Sequence, residues 1–170
     1  MMDIDFLLRE FTENPKRIKA LVTGVNKTEA RYKPGPKTWS ILEVVNHLYD
    51  EERFDFRVRL DIILNRPAED WPPIAPAAWV TQHKYNTRDL QTSLAAYLSE
   101  RRRSLRWLRS LGQVDWNTRY ARAGRSIRAG DMFAAWVAHD GLHIRQLNEL
   151  HRLLLERAVK PYQPGYAGEW

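Results

Sequence analysis

The chain is 170 residues long, 44% hydrophobic and 28% charged, with a formal net charge of +6. That balance belongs to a folded domain rather than a disordered segment, and no apolar run approaches the ~20 residues that cross a bilayer. Cysteine is absent, which excludes a disulfide scaffold, a thiolate metal site and a cysteine nucleophile, so any thiol chemistry needs a thiol cosubstrate.

The length fits one domain spanning 1–170, with room for a sizeable core. The opening MMDIDFLLREF carries acids where a secretory signal would be basic, which predicts a cytoplasmic protein. A first helix is predicted over about 3–26, with Phe6, Leu7, Phe11, Ile18, Leu21, Val22 and Val25 spaced for one apolar face. Asn14-Pro15 interrupts it, and because proline lacks an amide donor a kink or restart is expected there. The KPGP turn at 33–36 separates it from a second helix, which starts at Ser40 with a Ser40/Glu43 capping box and runs to about Leu64.

Residues 66–85 form a long connection holding four prolines with Trp71 and Trp79. A loop of that length is often a functional lid, though packing by the tryptophans also explains it. A third helix covers about 88–111 and stops at Gly112. Residues 113–128 are irregular, with a weak strand-like alternation at Val114, Trp116 and Thr118, and a fourth helix follows over about 129–157. The pattern predicts an all-α protein, one four-helix bundle.

The positive charge is local. Residues 101–128 hold nine arginines against one acid, Asp115. A run such as RRRSLRWLR on a helix is ordinarily a solvated face, and a patch for an acidic small molecule fits equally well. No helix-turn-helix, zinc-finger or RNA-binding signature accompanies it, so a nucleic-acid partner is not expected.

Three of the five histidines lie in AHDGLHIRQLNELH, residues 138–151. Steps of three and four along the fourth helix trace Met132, Trp136, His139, His143, Leu147, Leu150 and Leu154, so His139 and His143 occupy the core-facing stripe. The second helix has a stripe through Val44, His47, Glu51, Phe54 and Val58. One buried histidine is usually a hydrogen-bonded core residue. Three on inner faces leave two readings open: separately satisfied core rings, or a divalent metal that takes one nitrogen from each at ~2.0–2.1 Å. Asp140 follows His139 where a zincin motif has glutamate, and it projects away as a partner of the site or a surface residue. His83 and His151 read as structural or solvent-facing.

Together, WSILEVVNHLYDEE and AAWVAHDGLHIRQL resemble the two diagnostic segments of the DinB/YfiT-like superfamily. These are Trp39-Ser40 leading a helix with His47, then His139 and His143 followed by Arg145-Gln146. The ending GYAGEW resembles the tails of some bacterial members. The resemblance implies an up-down-down-up bundle with a long connection between the second and third helices, which residues 66–85 supply. It implies a divalent metal, zinc, nickel, iron or manganese, on His47, His139 and His143. It also implies the activities of characterised relatives, transferases and isomerases using thiols such as bacillithiol or mycothiol, and metal-dependent hydrolases.

Three protein ligands would leave coordination positions open, the arrangement of a catalytic site. The expected function is therefore a metal-dependent, thiol-dependent transferase or hydrolase acting on a small molecule; the alternative is non-catalytic, stress-related metal or ligand binding. Glu51, one turn after His47, is the candidate base or supporting partner of a ligand, and Arg145 is the candidate for holding a carboxylate or phosphate. Seven tryptophans, seven tyrosines and five phenylalanines are many for one bundle core. At ~150–250 Å² each they predict a homodimer packed through bundle helices.

Overall fold

The computed structural model describes residues 2–122 and 124–168; Glu169 and Trp170 of the terminal motif lie outside them. Asp3 accepts from the Phe6 amide at 2.9 Å and opens α1, Ile4–Val22. Of the kink or restart expected at Pro15, the restart does not occur, and α1 runs through it. Proline leaves the Phe11 carbonyl without its helical donor, and the guanidinium of Arg101 takes that carbonyl at 3.3 Å. A short α2, Lys27–Arg31, is opened by a capping box of Asn26 and Glu29.

The predicted Ser40/Glu43 capping box is present and starts α3, Ile41–Phe54. The second bundle helix is not continuous to Leu64. It breaks at Asp55, whose φ of −119° and ψ of −94° are not helical, and resumes as α4, Phe56–Asn65. The long connection contains α5, Pro76–Gln82, and a single 3₁₀ turn at Tyr85–Thr87. Asp89 then caps α6, Leu90–Ser110, which ends just before Gly112 at φ 64°, the left-handed conformation glycine supplies at helix ends.

The strand-like alternation is displaced: Val114, Trp116 and Thr118 are not in a strand. The hairpin lies further on, β1 (Arg119–Arg122) against β2 (Arg125–Arg128), antiparallel with Tyr120 opposite Ile127. Its turn uses Gly124 at φ 74°. The chain then enters α7, Ala129–Ala158. Among the described residues no helix is long and apolar enough to cross a membrane.

Helix directions follow from which ends meet. Phe11, midway along α1, packs on Phe133 near the start of α7, and His151 reaches the Leu21 carbonyl near the ends of both, so these helices are parallel. Asn46 meets Ser93 and Arg57 meets Ser104, so α3–α4 and α6 are parallel as well. The end of α1 packs against the start of α3 through Ile18, Val22, Ile41 and Leu42. The order is up-down-down-up, and the long connection is what lets two consecutive helices run the same way.

Two apolar clusters fill the bundle, one around Val45 and Leu94 and one around Phe11 and Phe133. In every bundle helix the chain passes from one cluster to the other through a buried polar residue: Asn14, Glu52, Arg101 and Asp140. Many of the aromatics pack within the chain. Trp136, Tyr85, Tyr97, Tyr120, Phe11 and Phe133 are fully buried, and Trp71 of the connection stacks on Tyr120.

Candidate metal centre

At the polar layer, α3 and α7 bring His47, His139 and His143 together. The Nε2 of His139 lies 3.2 Å from that of His47 and 3.1 Å from that of His143. Ligand atoms around a tetrahedral ion at ~2.0–2.1 Å are ~3.3–3.4 Å apart, slightly more than these two spacings, and all three ligand atoms lie within 4.8 Å of one another. His47 and His143 are buried, and His139 is half-buried.

Burial, then the neighbouring His143 and His139, pushes the His47 imidazole down to about 2. Burial, then His143 and Arg101, pushes His139 down to about 3, and burial lowers His143. All three rings are therefore held in the neutral form that ligation requires. Their outer nitrogens have been treated differently. His143 Nδ1 donates to the side-chain carbonyl of Gln146 at 2.8 Å, which fixes the tautomer that aims Nε2 at the cluster. His47 Nδ1 is buried without a hydrogen bond, and so is Glu51 Oε1, 3.7 Å from it. The donor set and these two orphaned atoms fit a divalent ion with Glu51 behind one ligand.

Glu51 is buried rather than a surface acid. Burial and then a hydrogen bond with Asp55 push its carboxyl up to about 8. Trp39 covers the cluster from one side, its ring 4.7 Å from that of His47 and parallel to that of His143. Phe56 stands 5.0 Å from the ring of His139. Beside His143 lies a surface depression of about 650 Å³ lined also by Leu142, Arg145, Gln146 and Glu149. Arg145 is exposed on this rim and makes no ion pair among the described residues.

Asp140 is not a surface residue, and it makes no hydrogen bond to the histidines among the described residues. It is fully buried and takes both terminal nitrogens of Arg101, at 2.6 and 2.7 Å. Arg101 likewise leaves the solvated face expected for the arginine run and also donates from Nε to Glu52 at 2.6 Å. Glu52 further accepts from Ser104 and from the Trp136 indole. Sequence reasoning missed this network, although Arg101 occupies the inner stripe Leu94, Tyr97, Arg101, Ser104, Leu108. The hairpin arginines pair elsewhere, Arg122 with Asp70 and Arg128 with Asp131. His151 is structural, on the Leu21 carbonyl at 2.6 Å, and His83 lies apart from the triad against Asp50.

The sequence model of the DinB superfamily matches residues 10–147. The fold is similar to that of YfiT from Bacillus subtilis, with a TM-score of 0.79 at 21% identity, over 91% of this chain and 90% of that one. YfiT is described as a probable metal-dependent hydrolase with an unusual four-helix bundle topology. No curated protein matches the chain.

Proposed function

The chain belongs to the DinB superfamily, and from that premise we propose that it is a metal-dependent enzyme acting on a small molecule. His47, His139 and His143 hold one divalent ion, and the reaction is hydrolysis or transfer to a low-molecular-weight thiol. The observation that carries this reading is the convergence of three neutral Nε2 atoms from two helices. When bound, the ion supplies the Lewis acidity that makes a water or a thiol nucleophilic at neutral pH. The protein holds no thiol of its own, so a thiol nucleophile arrives as cosubstrate.

The remaining residues position and exclude. Gln146 orients His143 through Nδ1. Glu51 stands behind His47, its carboxyl group placed to orient the ring. Trp39 and Phe56 shut water from the two faces they cover. Arg145, on the rim beside His143, is placed to hold a carboxylate or phosphate of the substrate. The same reading has the protein as a cytoplasmic homodimer; exposed Phe6 and Leu155 offer apolar surface to a second copy.

The test is turnover by zinc-, nickel-, iron- or manganese-loaded protein against small esters, amides and electrophiles, with and without bacillithiol, mycothiol or cysteine. Metal-dependent turnover that disappears in His139→Ala is expected. Stoichiometric metal binding without turnover in any class would replace the enzyme with a metal-binding protein.

A further inference from the structure

A second group of chemistry-bearing residues lies outside the triad, where the connection between α4 and α6 folds back on α3. Asp50, almost fully buried, accepts on one oxygen from His83 Nδ1 and from the Tyr85 hydroxyl, each at 2.6 Å. His83 and Tyr85 flank Lys84, whose φ of 50° makes it the one non-glycine residue with positive φ among the described residues. Left-handed backbone at a lysine costs energy, and here it turns both side chains onto one carboxylate. Tyr85 can only donate to that carboxylate, and burial followed by Asp50 raises its hydroxyl well above the ordinary range.

The carboxylate fixes the proton of His83 on Nδ1 and leaves Nε2 without a hydrogen bond among the described residues. The ring lines an open surface depression of about 440 Å³ with Phe54, Val58, Pro72, Pro73 and Trp79. That volume lies in the roughly 300–1,000 Å³ range of small-molecule sites. Trp79 stacks on His83 with an interplanar angle of 12° and meets Phe54 edge-on. The lining is mainly apolar, two aromatic rings and two prolines among it, and the His83 ring brings a polar atom to it.

We propose that this pocket binds a phenol: the aromatic ring lies among Trp79, Phe54 and the two prolines, and the hydroxyl bonds to His83 Nε2. An aromatic ligand suits Trp79 and Phe54 because aromatic pairs gain from stacked or edge contacts beyond the area they bury. A hydroxyl suits Nε2 in either protonation state, donating to the neutral imidazole or accepting from the charged one. Asp50 and Tyr85 act through His83 by holding its ring and tautomer. The site uses none of the three clustered histidines, so it stands or falls separately from the metal reading.

The experiment is titration of full-length protein with p-cresol and with toluene, which differ by the hydroxyl alone, followed by calorimetry and by NMR of labelled histidine rings. Wild type should bind p-cresol at least fivefold more tightly than toluene and shift the His83 resonances. His83→Phe keeps an aromatic ring on Trp79, and it should bring the two affinities within twofold while still binding toluene. Trp79→Ala should weaken both at least tenfold. One equivalent of zinc should change the p-cresol affinity less than twofold. Equal binding of the two probes to wild type, or no binding of either, overturns the proposal without any variant having to fold. A p-cresol affinity that depends on zinc would move the phenol to the triad and overturn it as well.

Discussion

Arg101 holds Asp140 through two hydrogen bonds, at 2.6 and 2.7 Å, and Asp140 is the residue that follows His139. The same guanidinium holds Glu52 on α3, five residues after His47. One buried cation therefore ties the helix carrying His47 to the helix carrying His139. Removing it would leave two buried carboxylates without their cation, which costs about 3–5 kcal/mol. Arg101→Met should lower the melting temperature on the order of 10 °C, given roughly 2–4 °C per kcal/mol at this size. Neutralising all three members, Arg101→Met with Glu52→Gln and Asp140→Asn, should recover part of the loss. A melting temperature unchanged in Arg101→Met would show that the network contributes nothing net.

Metal content separates the triad from the other histidines. Protein dialysed against zinc should hold near one equivalent per chain. His47→Ala, His139→Ala and His143→Ala should each lose most of it, while His83→Ala and His151→Ala retain it, since those rings bond to Asp50 and to the Leu21 carbonyl. Full occupancy in His139→Ala, measured by elemental analysis, would sink the assignment of ligands.

The pH dependence of metal-free stability has a definite sign. His47 and His139 are depressed to about 2 and about 3 when folded, against ~6.5 in the unfolded chain. Their contribution is fully present above ~6.5 and is lost as pH falls from there toward the folded values. Glu51 opposes them. Its folded value of about 8 lies above the ordinary 4.5, so its contribution is complete below 4.5 and disappears as pH rises through about 8. In Glu51→Gln, therefore, the urea midpoint of metal-free protein should fall steadily from about pH 6.5 to pH 5, more steeply than in wild type. A flat profile in that variant would contradict the buried, neutral state of the rings.

How much of this was legible in the sequence depends on where each signal sits. The four bundle helices were readable because apolar spacing and the Ser40/Glu43 box are local features. The three histidines were readable because they fall on inner stripes. The break at Asp55 carries neither glycine nor proline, so nothing local marks it. Arg101 was hidden by Arg102 and Arg103, which make a stripe position resemble the start of a surface run. Asp140 was read by its angle from His139, but its partner lies 39 residues away on α6. His83 was passed over for the same reason, with Asp50 33 residues distant.

Glu51 remains the residue whose role the geometry narrows most usefully. Its Oε1 and His47 Nδ1 are both buried, both without hydrogen bonds, and 3.7 Å apart. That is too long for a bond, yet each is placed to be satisfied by the other once the ring turns. A carboxylate behind a ligating histidine orients the ring, and its loss typically costs 10–100-fold in metal affinity or activity. A general base touching the reacting group instead contributes roughly 10²–10⁴-fold to the rate. The two roles separate in Glu51→Gln, which keeps size and hydrogen-bonding capacity. As a positioning residue, Glu51 gives about a 10–100-fold weaker zinc affinity in competition with a chelator, and kcat at saturating metal within about threefold of wild type. As a base, it gives near-normal zinc affinity and a kcat lowered about a hundredfold or more. The empty hydrogen-bond positions on both atoms favour the first outcome. A variant with unchanged zinc affinity and unchanged kcat would remove Glu51 from the site altogether.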